Sequence, residues 1–396
     1  MVLGRAWRFI KRHRGKLALG GALVGGGAYL LHWWWLSRSG GRRGAGQGDD
    51  EVTALLSELE RAQFLRSTGR NCTTTVAALL PGIAAQLDAD FGVEQITAEL
   101  RAKPAPDRRA ELCDQLRARA FARLLASVYA ACGSLLCAHV QLHLLAGLLC
   151  QQKRDAAGAA VNEDGDASDG RNRRQHEISE EVKIRFLGLL DTRSHVSDLA
   201  GQLESHCLAE CAGLDVREKF GLRRLDSLLH RLRVGFEAKL QAPESDAAAS
   251  PAPAARLLPS LRDSLMDSQR QLQREAGDDG RGLQRDDLLL QRLCSEADAR
   301  LRSVEAGRVL KQLLDSAGMA LLRVFTAHYQ GLNSDASLHE RTLPLLKVLP
   351  LINSTAALLL SRQFLDTSGL ADNAGLLRFS ADLFDSLGGS PSREMS

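Results

Sequence analysis

Aromatic residues make up only 5% of this 396-residue chain, and it holds just six isoleucines. It has no alternating apolar–polar run that reads as a strand, no Asn-Gly hairpin turn and no strand–helix–strand rhythm. These gaps exclude sandwiches, barrels and doubly wound sheets as working models. Catalytic signatures are missing too: no Walker loop, no G-x-G-x-x-G after a strand, no G-x-S-x-G and no H-E-x-x-H. Nor does one sign of charge dominate. Fifty-one Lys and Arg face 48 Asp and Glu, for a net +3. The two signs are interspersed and aromatics are scarce, so the basic residues read as solvated helical faces and not as a nucleic-acid footprint.

Leu, Ala and Arg dominate instead. Straight-chain residues lose little rotamer freedom in a helix, so the composition favours helix. The expected fold is all-α: an elongated helical bundle with one N-terminal transmembrane helix. Eight cysteines (72, 113, 132, 137, 150, 207, 211 and 294) include no C-x-x-C pair. Most lie in apolar helical runs, where free Cys behaves as a small hydrophobe, and they read as reduced thiols.

The N-terminus is the most informative local feature. Arg5, Arg8, Lys11, Arg12, Arg14 and Lys16 form a basic cluster. Residues Leu17 to Leu36 then run without a formal charge. Twenty helical residues span about 30 Å, the thickness of a bilayer core. Trp33, Trp34 and Trp35 close the segment as an interfacial aromatic belt would. No small-x-small cleavage site follows, and residues 17–31 have no polar face, so a membrane anchor is the preferred reading over a signal peptide or an interfacial helix. Counting basic residues on each side would place the N-terminus in the cytosol and the bulk of the chain in a lumen. Only there would the sequons at Asn71 and Asn353 be usable.

The remaining chain divides at a Gly/Arg linker, residues 37–48, and a helical domain, residues 49–390. Loops are expected at about 154–176 and 242–255, where acidic, Gly-rich or Pro-rich sequence takes over. Within the domain, a turn is expected around Thr68 to Asn71, a break near Pro81 and another at Lys103-Pro104-Ala105-Pro106. A long helix should begin near Asp107. No Asp, Glu, Lys or Arg occurs between Arg123 and Lys153. Hydropathy alone would make Leu124 to Cys150 a second span. Ser127, Ser134, His139, Gln141 and His143 scatter polar atoms around its circumference, which favours a protein core. Helical spacing also links Val216 to Leu240, and Leu293, Ala297, Leu301, Val304, Leu310 and Leu313.

Two clusters offer metal-ligand chemistry. His139 and His143 are four apart and can share a helix face, and His206 lies beside Cys207 and Cys211. Neither has a further ligand at good spacing, so both read as core or surface residues and no metal, cofactor or catalytic residue is expected.

Several segments together resemble the peroxin-3 (peroxisome biogenesis factor 3) family. Trp7-Arg8-Phe9-Ile10-Lys11-Arg12-His13 is similar to the family's W-x-F-[LI]-K-R-H opening. Arg70-Asn71-Cys72-Thr73-Thr74-Thr75-Val76 with Leu80-Pro81 resembles its R-x-C-x-x-T-V…L-P segment. Phe121-Ala122-Arg123, Val128-Tyr129 and Val140-Gln141-Leu142 fit its F-x-R…V-Y…V-Q-L helix. The run from Leu343 to Asn353 resembles its L-P-x-x-K-x-x-P-x-x-N motif. Order and spacing across residues 1 to about 355 carry the resemblance, and residues 155–340 add little beyond helical character.

The resemblance implies a single-pass peroxisomal membrane protein. Residues 1–16 would be a matrix-facing targeting segment and residues 17–36 the transmembrane helix, with the large domain facing the cytosol. That orientation reverses the charge count, and it makes Leu124 to Cys150 a buried helix. The implied function is docking of peroxin 19, the chaperone of peroxisomal membrane proteins, together with its cargo. An amphipathic chaperone helix would lie in a groove lined or rimmed by Leu100, Arg101, Lys103, Pro104, Arg109, Leu112, Cys113, Leu116 and Lys347. The family usually has Trp where this chain has Cys113. Its other implied contacts are peroxisomal membrane lipids, with no nucleic acid. The alternatives are a generic membrane-anchored helical tether and a membrane-anchored metal-dependent enzyme using one of the His clusters.

Overall fold

A computed structural model describes residues 49–161, 178–241, 257–258, 260, 263, 284–331 and 341–388. The basic segment, the 17–36 span, the linker to residue 48 and the expected loop at 242–255 lie outside the described residues. So does most of the loop expected at 154–176.

The described chain is all-α. Its helices are α1 (Asp49–Phe91), α2 (Val93–Arg101), α3 (Pro106–Val161), α4 (Glu180–Gly188), α5 (Arg193–Cys211), α6 (Leu222–Gln241), α7 (Gln284–Leu301), α8 (Val304–Gln330), α9 (Leu345–Leu359), α10 (Arg362–Ser368) and α11 (Ala374–Gly388). Two three-residue strands, β1 (Lys219–Gly221) and β2 (Thr342–Pro344), pair antiparallel, with Phe220 opposite Leu343.

The bundle is organised around α3. Helices α1, α2, α4, α5, α7, α8, α9 and α11 all pack on it. By length and composition α3 could cross a membrane between Pro106 and Gln152, yet its most apolar window is wholly covered by protein. An all-round apolar helix needs either lipid or neighbours on every side, and here the neighbours supply the cover. Several polar atoms on its circumference find protein partners: Ser127 Oγ donates to the Arg123 carbonyl at 2.8 Å, and His139 Nδ1 lies 2.8 Å from Ser380 Oγ on α11. None of the eight cysteines is disulfide-bonded.

Three local expectations change. First, α1 runs unbroken through Thr68–Asn71 and through Pro81, and Pro81 is exposed. Cys72, Val76, Leu80, Ile83, Leu87 and Phe91 form one buried stripe at three- and four-residue spacing. Packing of that stripe on α3 outweighs the hydrogen bond lost at proline, because the proline sits on the outer face. Second, α3 continues to Val161. Third, the Leu293–Leu313 pattern is two helices. Ser303 breaks it, accepting a hydrogen bond from Ala306 N as the N-cap of α8, and Val304 is left 67% exposed. The expected break at 103–106 is present. Lys103 has φ of 56°, and Pro106 occupies the first position of α3, where its missing N–H costs nothing.

Candidate partner-docking site

The implied site residues fall at one end of α3. Gly92, with φ of 55°, turns the chain from α1 into α2 in a left-handed conformation that a Cβ would strain. Val93 and Ile96 bury one face of α2, and Leu100 packs half-buried against the core. The chain then reverses through Lys103 and Pro104 into α3. Arg101, Lys103 and Arg109 are exposed, and Cys113 is half-buried. Lys347 is also exposed, near the start of α9.

A short connection brings Lys347 to the same end. Leu345 N and Leu346 N donate to the carbonyls of Glu218 (2.9 Å) and Val216 (3.0 Å). Arg117, in the third turn of α3, donates to the Leu214 carbonyl of that same connection. The β1–β2 pair, closed by Tyr329 Oη on the Phe220 carbonyl at 3.0 Å, anchors this junction.

Charge at this end is unevenly satisfied. Arg108 is pinned between Glu99 and Glu111, at 2.9 Å to each. Among the described residues, no ion pair holds Arg101, Lys103, Arg109 or Lys347. They remain free to meet an acidic partner. Leu112 and Leu116 sit deeper than a groove wall, at 1% and 7% exposure, inside the core shared with α1 and α9.

Two arginines lock this end together, Arg123 buried and Arg119 half-buried. Arg123 donates to Asp88 of α1 and to Asn353 of α9, while Arg119 donates to Glu204 of α5 (2.7 Å) and to the Phe91 carbonyl (3.1 Å). Sequence reasoning missed this role. The signal was present as Arg residues on an otherwise apolar helix, which must find partners when buried. Asp88→Ala should therefore lower stability by about 2 kcal/mol, because it leaves the Arg123 charge buried; the half-exposed carboxylate discounts the usual buried-pair figure. Glu99→Ala, at a solvent-exposed pair, should leave the melting temperature unchanged. Thermal melts of the two variants check the contrast.

The His clusters separate. His206 Nε2 lies 2.9 Å from the Leu232 carbonyl and its ring packs on Phe236, and it does not converge with Cys207 and Cys211 on a common point. His139 and His143 stack with centroids 5.3 Å apart, and Cys72 of α1 lies against them. Burial pushes both imidazoles towards the neutral form, with the His143 pKa lowered to about 4 and that of His139 well below its usual value. Burial likewise raises the Cys72 thiol and holds it protonated.

Residues 8–109 match the family model described as Peroxin-3. Peroxisomal biogenesis factor 3 of Mus musculus and of Homo sapiens are each 25% identical over 148 residues, 37% of this chain and 38% of the relative. The Bos taurus protein of the same name is 25% identical over 143 residues, 36% of each. The similarity thus spans well under half the length of these curated relatives. The family-model match includes Leu100, Arg101, Lys103, Pro104 and Arg109, while Leu112, Cys113, Leu116 and Lys347 lie beyond it. From its basic N-terminal segment to the first turn of α3, this chain is similar to the peroxin-3 family.

Proposed function

We propose that this protein acts in peroxisome biogenesis as a membrane docking receptor for peroxin 19 and its cargo. The observation that carries the reading is the family match over residues 8–109, which joins the basic segment and the 17–36 apolar run to the α2–α3 corner. In this reading residues 17–36 anchor the chain in the peroxisomal membrane and the helical domain faces the cytosol. The covered apolar window of α3 supports a single span. Asn353, whose side chain is engaged by Arg123 within the bundle, is a poor glycan acceptor, in keeping with a cytosolic face.

The docking mode is helix-in-groove. An amphipathic helix of the chaperone presents apolar residues to the α2–α3 corner, and Arg101, Lys103, Arg109 and Lys347 steer its acidic flanks. The protein is then an adaptor, not an enzyme. Burial of the Cys72–His139–His143 cluster leaves no room for substrate there, which disfavours the enzyme alternative.

The test is complementation. In cells lacking peroxin 3 and devoid of peroxisomes, the full chain should restore punctate peroxisomal membrane proteins, and deletion of residues 1–36 should abolish that rescue. Failure of the full chain to rescue, with the protein expressed and folded, would contradict the proposal.

Cys113 is half-buried, at the position where the family resemblance implies an aromatic anchor. About 100 Å² of additional apolar contact at about 25 cal/mol per Å² is worth ~2.5 kcal/mol. Cys113→Trp should therefore strengthen binding of a peroxin 19 peptide taken from a species whose receptor has Trp, by tenfold or more (about 1.4 kcal/mol). It should leave or weaken binding of the native peptide, whose helix fills the space differently. Titration calorimetry with both peptides reads the difference.

A further inference from the structure

We propose that Cys72, His139 and His143 form a buried Cu⁺ site between α1 and α3. Among the described residues, this is the set of three His, Cys, Asp or Glu side chains whose ligand atoms all lie within 4.8 Å of one another. The sequence separates Cys72 from the His pair by more than sixty positions, and helix packing brings them together.

The hydrogen bonds around the rings fix which atoms are free to coordinate. Ser380 Oγ donates its only proton to the Leu376 carbonyl at 2.8 Å. It can therefore only accept from His139 Nδ1, 2.8 Å away, so the proton of His139 sits on Nδ1. His139 Nε2 carries the lone pair, is fully buried and has no hydrogen-bond partner. A buried acceptor left unpaired is costly, and a cation supplies the missing partner. His143 Nδ1 donates to the His139 carbonyl at 2.9 Å, which leaves its Nε2 as a lone pair as well. Imidazoles that ligate metals commonly donate their other N–H to the protein in this way. Ser380 and the His139 carbonyl are the positioning groups. Cys72 Sγ is held only by a 3.7 Å contact to the Ala138 carbonyl, a weak hydrogen bond that is easily given up.

The choice of ion follows from charge and coordination number. Thiolate with two neutral imidazoles has a charge of −1. Cu⁺ makes the centre neutral, whereas Zn²⁺ would leave a net positive charge in a dry core with no carboxylate in the cluster. Zinc also seeks a fourth ligand. Soft thiolate favours Cu⁺, which is satisfied by three donors. On binding, the Cys72 S–H bond breaks, an S–Cu bond forms and the proton leaves to solvent; no electron is transferred.

The test uses the full chain purified in detergent, reduced and anaerobic, with Cu⁺ supplied as its acetonitrile complex against excess bicinchoninate. The expected result is one Cu⁺ retained per chain, with an X-ray absorption spectrum fitted by one sulfur and two nitrogen donors. Cys72→Ser and His143→Gln should each lose the retained copper while melting as native. Ser380→Ala should weaken retention about tenfold. Replacing a thiol outside the cluster by Cys150→Ser should leave copper retention unchanged. No retained copper, an all-sulfur donor shell, or unchanged retention in Cys72→Ser or His143→Gln would overturn the site. Displacement of Cu⁺ by equimolar Zn²⁺ would overturn the assignment of the ion. The absorption spectrum of the unmodified chain decides the matter even if a variant fails to fold.

Discussion

Leu112→Asp should unfold the helical domain and not merely weaken partner binding. Leu112 is 1% exposed and belongs to the continuous core beneath the α2–α3 corner. Its removal forfeits about 2–3 kcal/mol of apolar burial. The aspartate then brings a carboxylate into the apolar core, which adds several kcal/mol more. A total loss of about 5 kcal/mol approaches the whole stability of an ordinary domain. Leu116→Asp, at 7% exposure, should behave in the same way. Loss of the helical circular dichroism signal at 37 °C, or exclusion from the soluble folded fraction in detergent, would record it. A native melting curve for Leu112→Asp would show that this leucine lines an open groove. The resemblance implied Leu112 and Leu116 as groove leucines, and their burial makes them the floor on which such a groove would rest.

Acid should destabilise the metal-free protein early. Both His139 and His143 are buried and neutral in the folded chain, whereas in the unfolded chain they titrate near the ordinary value of 6.5. Above that value neither state is protonated and the fold keeps its full stability. Below it the unfolded state takes up protons that the folded state refuses, so stability falls as pH drops. For His143 the window runs from 6.5 down to about 4, an accumulated loss of about 3 kcal/mol. His139 acts in the same direction. Urea midpoints measured at pH 7.5 and pH 5 with a metal chelator present should therefore differ markedly, and His143→Leu should remove about half of the dependence. A flat midpoint over that range would mean that the two rings are hydrated in the folded state.

The architecture was largely legible because a few residue choices are physically unambiguous. A charge-free stretch from Leu124 to Cys150 that still carries Ser, Gln and His had to be surrounded by protein, and it is the most covered part of the bundle. Pro104 and Pro106 had to end one helix and start another. Three features were less visible. Pro81 signals a break only when it faces a neighbour, and sequence alone does not tell which face is outward. The β1–β2 clamp comprises three residues per strand, too short for any periodicity. The Cys72–His139–His143 cluster depends on the register of α1 against α3, which the spacing of residues within either helix does not encode. At the docking end, the exposed cations were identifiable by type, but the depth of Leu112 and Leu116 required the packed core.

The proposed docking mode draws on basic side chains that carry no ion pair among the described residues and that share one end of α3. The direct measurement is a calorimetric titration of peroxin 19 from the same organism into the full chain in detergent, beside the variant Arg101→Glu/Lys103→Glu/Lys347→Glu. These side chains are exposed, so the variant should melt as the parent does. The parent should bind one peroxin 19, and the variant at least tenfold more weakly (about 1.4 kcal/mol), with the difference shrinking as salt is raised. Equal affinity for the folded variant and the parent, or no binding by the parent at all, would contradict the account.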